Sequence, residues 1–134
     1  MEEIPVAKGR SRFRRVGKFV STYTPKKTKD FEELVAEAAK QAMGDVGPLE
    51  TPLRMFITFV MPIPASYSKK RRLACSSGEE SHTKKPDIDN LCKSLFDGMN
   101  GIVYKDDAQI VSLNAVKCYG LTACITVGFQ EHLL

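Results

Sequence analysis

Apolar residues recur at helical spacing in two parts of the chain. The first part runs from Thr24-Pro25, which suit the N-cap and the first helical position, to Gly44, which suits a helix end. The second is shorter, from Asn90 to Met99, and Asn100-Gly101 ends it. We predict one long and one short amphipathic helix at these places.

Strand-like patterns fill much of the remainder. Residues 53–60 are apolar on both alternating faces, which predicts a central strand covered on both sides and ended by Pro62 and Pro64. Two later stretches, 109–117 and 123–129, predict a final antiparallel pair with a turn at Tyr119-Gly120. The Arg-rich opening through Tyr23 predicts a short strand or hairpin. The order predicts one α+β domain over residues 1–134, with a small mixed sheet and about two helices.

The segment from Ser66 to Lys85 has neither pattern. It is polar, basic and contains Gly and Ser, which predicts a mobile loop of roughly 20 residues, a length that usually accompanies function or disorder.

Composition narrows the class of protein. The chain has 134 residues, 43% hydrophobic and 27% charged, as in ordinary globular domains. Its four cysteines form no Cys-x-x-Cys pair and only two histidines accompany them, which argues against a zinc site. No signal peptide or apolar run of about 18 residues is visible, so we expect a cytoplasmic protein without a membrane partner.

Charge is distributed unevenly, although the net charge of +4 is modest. Basic residues dominate the first 29 positions and recur at residues 69–72. Two more, at residues 84–85, come directly before the acidic region. Acidic residues collect at Asp87, Asp89, Asp97, Asp106 and Asp107. Basic arms around an acidic centre are typical of enzymes that cleave phosphodiesters, although any single basic run could equally be a solvated face.

The acidic residues have a spacing that suits a metal site. In an extended segment Asp87 and Asp89 would point the same way, and the turn after the short helix could return Asp107 beside them. Two carboxylates ~5 Å apart repel by roughly 3 kcal/mol at an effective dielectric of 20, a cost that a cation would offset. Oxygen ligands favour Mg²⁺ or Mn²⁺ over Zn²⁺, and Lys93, one helical turn beyond Asp89, could hold a phosphate.

Each acidic residue also has a purely structural interpretation. Asp89 could simply cap the short helix, Asp89 and Lys93 could form an exposed pair, and Asp106-Asp107 could belong to a solvated turn. A calcium loop is a poorer match, because Leu91 and Cys92 stand where that loop needs a ligand and its glycine.

An ordered block of residues nevertheless resembles the RusA family of Holliday junction resolvases. It comprises residues 85–91 (KPDIDNL), Lys93, Asp97, Asn100-Gly101, Tyr104, Asp106-Asp107 and Gln109-Ile110. Further matches are Lys8-Gly9-Arg10, residues 24–28 (TPKKT) and Pro62-Ile63-Pro64. The similarity runs from about Val6 to Gly120. One departure is the short lead-in from Met1 to Pro5, where relatives have a fuller first strand.

The resemblance implies a homodimeric, Mg²⁺-dependent endonuclease (Mn²⁺ can substitute) that resolves four-way junctions by paired symmetric nicks in recombination and repair, in a bacterial or phage-infected cell. It implies that Asp87, Asp89 and Asp107 bind the metal, with Asp106 as a helper, and that Lys93 is the catalytic lysine. It places phosphate contacts on Lys8, Arg10 and Arg12. The other basic runs extend the expected DNA-binding set to Lys26, Lys27, Lys69, Lys70, Arg71 and Lys85.

Two alternatives stay open. One is a nuclease of the same chemistry that cuts flaps or other branches. The other is a catalytically silent protein that only binds junctions, although a pure binder gains nothing from concentrating anions near DNA.

Overall fold

A computed structural model describes residues 1, 5–6, 12–16, 19–23 and 26–132, with the backbone alone for 12–16 and 19–23. Its elements are β1 (Arg12–Val16), β2 (Phe19–Tyr23), α1 (Lys26–Met43), β3 (Leu53–Pro62), α2 (Lys69–Ser77), α3 (Ile88–Met99), a 3₁₀ turn (Asp107–Gln109), β4 (Ile110–Gly120) and β5 (Cys124–Glu131). This is the α+β fold with a small mixed sheet that the sequence predicts.

The core lies between α1, α3 and one face of β3. Helix α1 buries residues spaced three or four apart, so one stripe of the helix faces inward. Strand β3 buries every second residue from Leu53 to Met61. The two helices approach closely at Gly98, where an added Cβ would lie 2.7 Å from Val35 Cγ1.

Strand β3 is central, as predicted, but its neighbours differ from the prediction. The sheet order is β4-β3-β5, with β4 parallel and β5 antiparallel to β3, so the predicted pairing of the last two strands is wrong. Because β3 lies between β4 and β5, the link from β4 to β5 must cross two interstrand spacings, about 10 Å. The three residues 121–123 are long enough for this. The predicted turn at Tyr119-Gly120 lies inside β4, and β3 continues through Pro62.

The prediction that β3 is covered on both faces is also wrong. On its second face Phe56 is 43% exposed, whereas Met55 and Ile57 on the first face are buried. The helices α1 and α3 supply buried partners on the first face.

Residues 66–85 are not a continuous loop, which corrects a further prediction. Helix α2 occupies the middle of this segment, begins after Ser68, whose Oγ accepts the Arg71 N–H (3.2 Å), and ends at Gly78 with φ +86°. Only Cys75 is buried in it, so the helix has no apolar stripe for sequence periodicity to detect.

The start of the chain follows the prediction where it is described. Strands β1 and β2 pair antiparallel, from Arg12 opposite Tyr23 to Val16 opposite Phe19, so an antiparallel pair forms within the Arg-rich segment. Met1 exchanges backbone hydrogen bonds with Ile125 of β5, both of 2.8 Å. The predicted N-cap of α1, Thr24, and its predicted first helical residue, Pro25, lie outside the described residues. In the described part of the chain, no helix has the length and apolar character needed to cross a bilayer.

Candidate active site

Helix α3 places Asp89 and Lys93 on its outer side. Its inner side buries Leu91, Leu95 and Met99 against the core, and the spacing of four residues puts Asp89 and Lys93 one turn apart on the other side. Asp89 lies in the first turn of the helix, where the positive end of the helix dipole favours a carboxylate.

An open pocket brings these two side chains together with Asp107. The pocket has a volume of about 510 Å³ and lies between α3 and β4. Its polar members are Asp89, Lys93 and Asp107, and the rest of its lining is Ile88, Cys92, Phe96, Leu113 and Ala115. Residues far apart in the sequence therefore form one site with two carboxylates and one ammonium group.

Asp107 lies close to other negatively charged side chains. A side-chain hydrogen bond with Asp106 raises the pKa of the Asp107 carboxyl, although the residue is exposed, and the loss of part of its hydration and the charges of Asp106 and Asp97 raise this pKa further. Asp97 is therefore part of the acidic cluster, although the site predicted from the sequence omitted it. Its position one helical turn after Lys93 could have indicated that it belongs to the site.

Tyr104 lies near the carboxylates of Asp97, Asp106 and Asp107 and is hydrogen-bonded to α3. Its side chain is fully buried, and its hydroxyl donates to the backbone carbonyl of Phe96 (2.8 Å). Burial raises the pKa of Tyr104, and the nearby Asp107 adds to the effect, so the hydroxyl stays a neutral donor at all physiological pH values.

Gln109 fixes the backbone around the acidic turn, a role that was not predicted from the sequence. Its Oε1 accepts the N–H groups of Lys105 and Asp106, both at 3.0 Å. Its Nε2 donates to the carbonyls of Leu49 (2.8 Å) and Thr51 (3.0 Å). The side-chain amide thus uses two acceptor positions and both donors, and joins the Asp106-Asp107 turn to the segment before β3.

Asp87 occupies a different place from the other two predicted ligands. It is the N-cap residue of α3, with extended backbone angles (φ −73°, ψ 146°), and its carboxylate accepts from Lys85 Nζ (3.0 Å). The predicted cap, Asp89, instead lies within the helix, so the two side chains do not share an extended segment. The reason is that the helix begins at Ile88, two residues earlier than predicted.

The donor set has the chemistry of a site for a hard divalent cation. All its candidate ligand atoms are carboxylate oxygens, and a cation would offset the negative charges of Asp106 and Asp97 near Asp107. Among the described residues no three His, Cys, Asp or Glu side chains lie close enough to hold one ion together. The ligand set Asp87, Asp89, Asp107 and Asp106 therefore stays a prediction.

The predicted DNA-contacting residues have different surroundings. Lys26, Lys27, Lys69 and Lys70 are exposed. Arg71 is already bonded, because its Nε donates to Glu80 (3.0 Å) and its guanidinium lies 3.7 Å from the centre of the Tyr67 ring. Lys85 is paired with Asp87. Lys8 and Arg10 lie outside the described residues, and for Arg12 only the backbone is described.

A small α+β domain whose open pocket combines carboxylates with a lysine is the arrangement expected of a phosphodiester hydrolase. The comparison with protein families agrees with this class, since the model of the family described as Endodeoxyribonuclease RusA matches residues 3–129. The chain belongs to the RusA endodeoxyribonuclease family. It is also similar to the uncharacterized protein YqaN of Bacillus subtilis (strain 168), with 36% identity over 131 residues that cover 95% of this chain and 90% of that protein.

Proposed function

We propose that this protein is a metal-dependent endonuclease that resolves four-way DNA junctions by paired symmetric nicks. The observation that carries the proposal is the pocket shared by Asp89, Lys93 and Asp107, in a chain that belongs to the RusA family. Cleavage of a phosphodiester needs positive charge beside the scissile phosphate. Lys93 supplies one ammonium group, and the carboxylates would hold a metal ion that supplies more.

Asp89 and Asp107 of the pocket, together with Asp106 and Asp87, are the residues that would hold Mg²⁺ or Mn²⁺. When bound, such an ion activates water and neutralises charge on the scissile phosphate. Phe96 and Leu113 contribute apolar lining beside the two carboxylates. Lys93 binds a non-bridging phosphate oxygen, and its ammonium stabilises the negative charge that grows there during the reaction.

DNA would reach this pocket across the exposed lysines at the starts of α1 and α2. Lys26, Lys27, Lys69 and Lys70 are available for phosphates, and Lys8, Arg10, Arg12 and Lys85 complete the proposed contacts. Arg71 contributes mainly by holding α2, because its guanidinium is bonded to Glu80. The proposal places the protein in the cytoplasm of a bacterial or phage-infected cell, where branched DNA arises.

The test uses a labelled synthetic four-way junction, a flap and a linear duplex of matched sequence, each with Mg²⁺ or with EDTA. We expect paired nicks in the junction that require the metal and an intact duplex. Efficient cleavage of the flap would support the broader nuclease instead.

Two variants separate catalysis from binding. Asp89→Asn should abolish cleavage and keep junction affinity, whereas Asp45→Asn, which changes an exposed carboxylate in the loop after α1, should leave both unchanged. If wild-type protein binds the junction tightly and does not cut it with either metal, the protein is a binder and the catalytic assignment fails.

A further inference from the structure

Lys117 makes two hydrogen bonds that the catalytic proposal does not use. Its Nζ donates to the backbone carbonyls of Lys84 and Pro86, and both distances are 2.8 Å. These carbonyls lie 33 and 31 residues away in the sequence, so the bonds join β4 to the segment that connects α2 with α3.

The position of Lys117 in β4 relates it to the pocket. Side chains alternate along a strand, so Leu113, Ala115 and Lys117 lie on one face. Leu113 and Ala115 line the pocket, and Lys117 is the next member of this row. The row therefore runs from the pocket lining to the contact with residues 84–86.

The segment that Lys117 holds leads directly into α3. Pro86 precedes Asp87, the N-cap residue, whose carbonyl accepts the N–H of Leu91 (3.1 Å) in the first turn of the helix. Asp89 follows within that turn and Lys93 lies one turn further. A shift of residues 84–86 along β4 would thus shift both side chains relative to Asp107, which lies before the start of β4.

The chemistry of the contact suits a lysine. Two carbonyls that converge on one point need a donor with several N–H groups, and an ammonium offers three. The side chain is half-buried, and the neighbouring ring of His82 packs against Tyr119 with ring centroids 4.7 Å apart. Lys117 is therefore bound into the protein on the side where α2, β4 and the start of α3 meet.

We propose that Lys117 is a positioning residue for the nuclease site: its ammonium holds residues 84–86 on β4 and thereby sets the place of Asp89 and Lys93 opposite Asp107. The inference rests on the proposed function for its effect on catalysis. Its structural part, the attachment of residues 84–86 to β4, stands by itself and is tested separately.

The experiment compares Lys117→Met, which keeps a long unbranched side chain without donors, with Lys117→Arg, which restores several donors. Lys40→Met serves as the charge control, since Lys40 is an exposed residue in the last turn of α1. For each protein we would measure the single-turnover rate of junction cleavage with saturating Mg²⁺, the junction Kd in EDTA, and amide hydrogen exchange of residues 83–92.

We expect Lys117→Met to lower the cleavage rate by about 10- to 100-fold, the usual consequence of a misplaced catalytic group. The Kd should change by less than about 3-fold, because the lost bonds are internal to the protein. Exchange in residues 83–92 should become faster. Lys117→Arg should recover most of the rate and the protection, and Lys40→Met should match wild type in both.

Equal losses of rate and affinity in Lys117→Met would identify Lys117 as a DNA phosphate contact and overturn the proposal. Unchanged exchange in residues 83–92 would overturn it as well. If Lys117→Met does not fold, Lys117→Arg still tests the proposal. Normal exchange together with normal cleavage would support it, whereas normal exchange together with a large loss of cleavage would contradict it. Failure of wild-type protein to cut would count against the proposed function, while the exchange result would still judge the attachment.

Discussion

Charge crowding at Asp107 shapes the chemistry of the site at the scale of single residues. Hydrogen bonding to Asp106, partial loss of hydration and two negative neighbours all raise the pKa of Asp107. A carboxyl whose pKa is raised on folding stabilises the fold below its unfolded pKa, and this contribution is lost as pH rises through the folded pKa. In the folded protein the ionised form of Asp107 is therefore disfavoured relative to the unfolded chain.

We predict that Asp107→Asn abolishes cleavage and stabilises the protein at pH 7.5. The substitution removes one of the repelling charges, and because Asp107 is exposed the gain should not exceed about 1 kcal/mol. Thermal unfolding without metal at pH 7.5 and at pH 3 measures the effect, which should disappear at the lower pH, where the Asp107 carboxyl is protonated and as neutral as the asparagine side chain. Asp45→Asn is the control, and equal stabilisation by both variants would contradict the argument.

A second residue-scale prediction concerns Gln109. Gln109→Glu keeps the shape of the side chain, replaces the donor to two carbonyls with an acceptor, and adds charge beside Asp106. We expect a loss of about 1–3 kcal/mol in the free energy of unfolding, measured with urea at pH 7.5. Gln130→Glu, an exposed change on β5, should cost far less. Similar losses in the two variants would mean that the amide bonds of Gln109 contribute little.

The site could be predicted from the sequence where spacing alone fixes geometry. Asp89 and Lys93 are four residues apart in a helix with a clear apolar stripe, so their shared face followed directly. The roles of Gln109 and Lys117 depend on carbonyls that are 60 and 31 residues away, and no local pattern reports such contacts.

Among the helices and strands, sequence periodicity predicted the ones that bury a stripe of apolar residues. Helices α1 and α3 and strand β3 each do so, and each was placed within a few residues. Helix α2 buries only Cys75, so the signals left were its ends, Ser68 and Gly78. The order of the strands was missed for another reason: alternation indicates which face a residue takes, and it does not indicate which strand lies alongside.

The C-terminal end of α2 depends on a glycine. Gly78 has φ +86°, a conformation that costs a residue with a Cβ about 1 kcal/mol or more. We expect Gly78→Ala to speed amide exchange in residues 69–77 and lower thermal stability by about that amount. Gly47→Ala is the matched control, because an added Cβ there meets no atom within 4 Å and the backbone angle is ordinary. Normal exchange in α2 of Gly78→Ala would show that this helix end tolerates a side chain.

Across the whole molecule, the described part of one subunit brings Asp89, Lys93 and Asp107 together in one place, whereas a resolvase must cut two strands. A four-way junction has near two-fold symmetry, so two equivalent pockets in an isologous dimer match two symmetric nicks. The proposed function therefore requires a particle of twice the 14.9 kDa of the chain, which light scattering would measure directly.

A heterodimer of one wild-type and one Asp89→Asn subunit tests whether both pockets are needed. It can be isolated by giving the two subunits different tags. On a supercoiled plasmid that extrudes a cruciform, the wild-type dimer should make both cuts in one encounter and give linear DNA. The heterodimer should give nicked circles, because it retains a single complete pocket. Its junction affinity should equal that of wild type, since Asp89 faces the pocket and the exposed lysines are unchanged. Linear product from the heterodimer at the wild-type rate would mean that one pocket cuts both strands in turn, and the argument from two-fold symmetry would then be wrong.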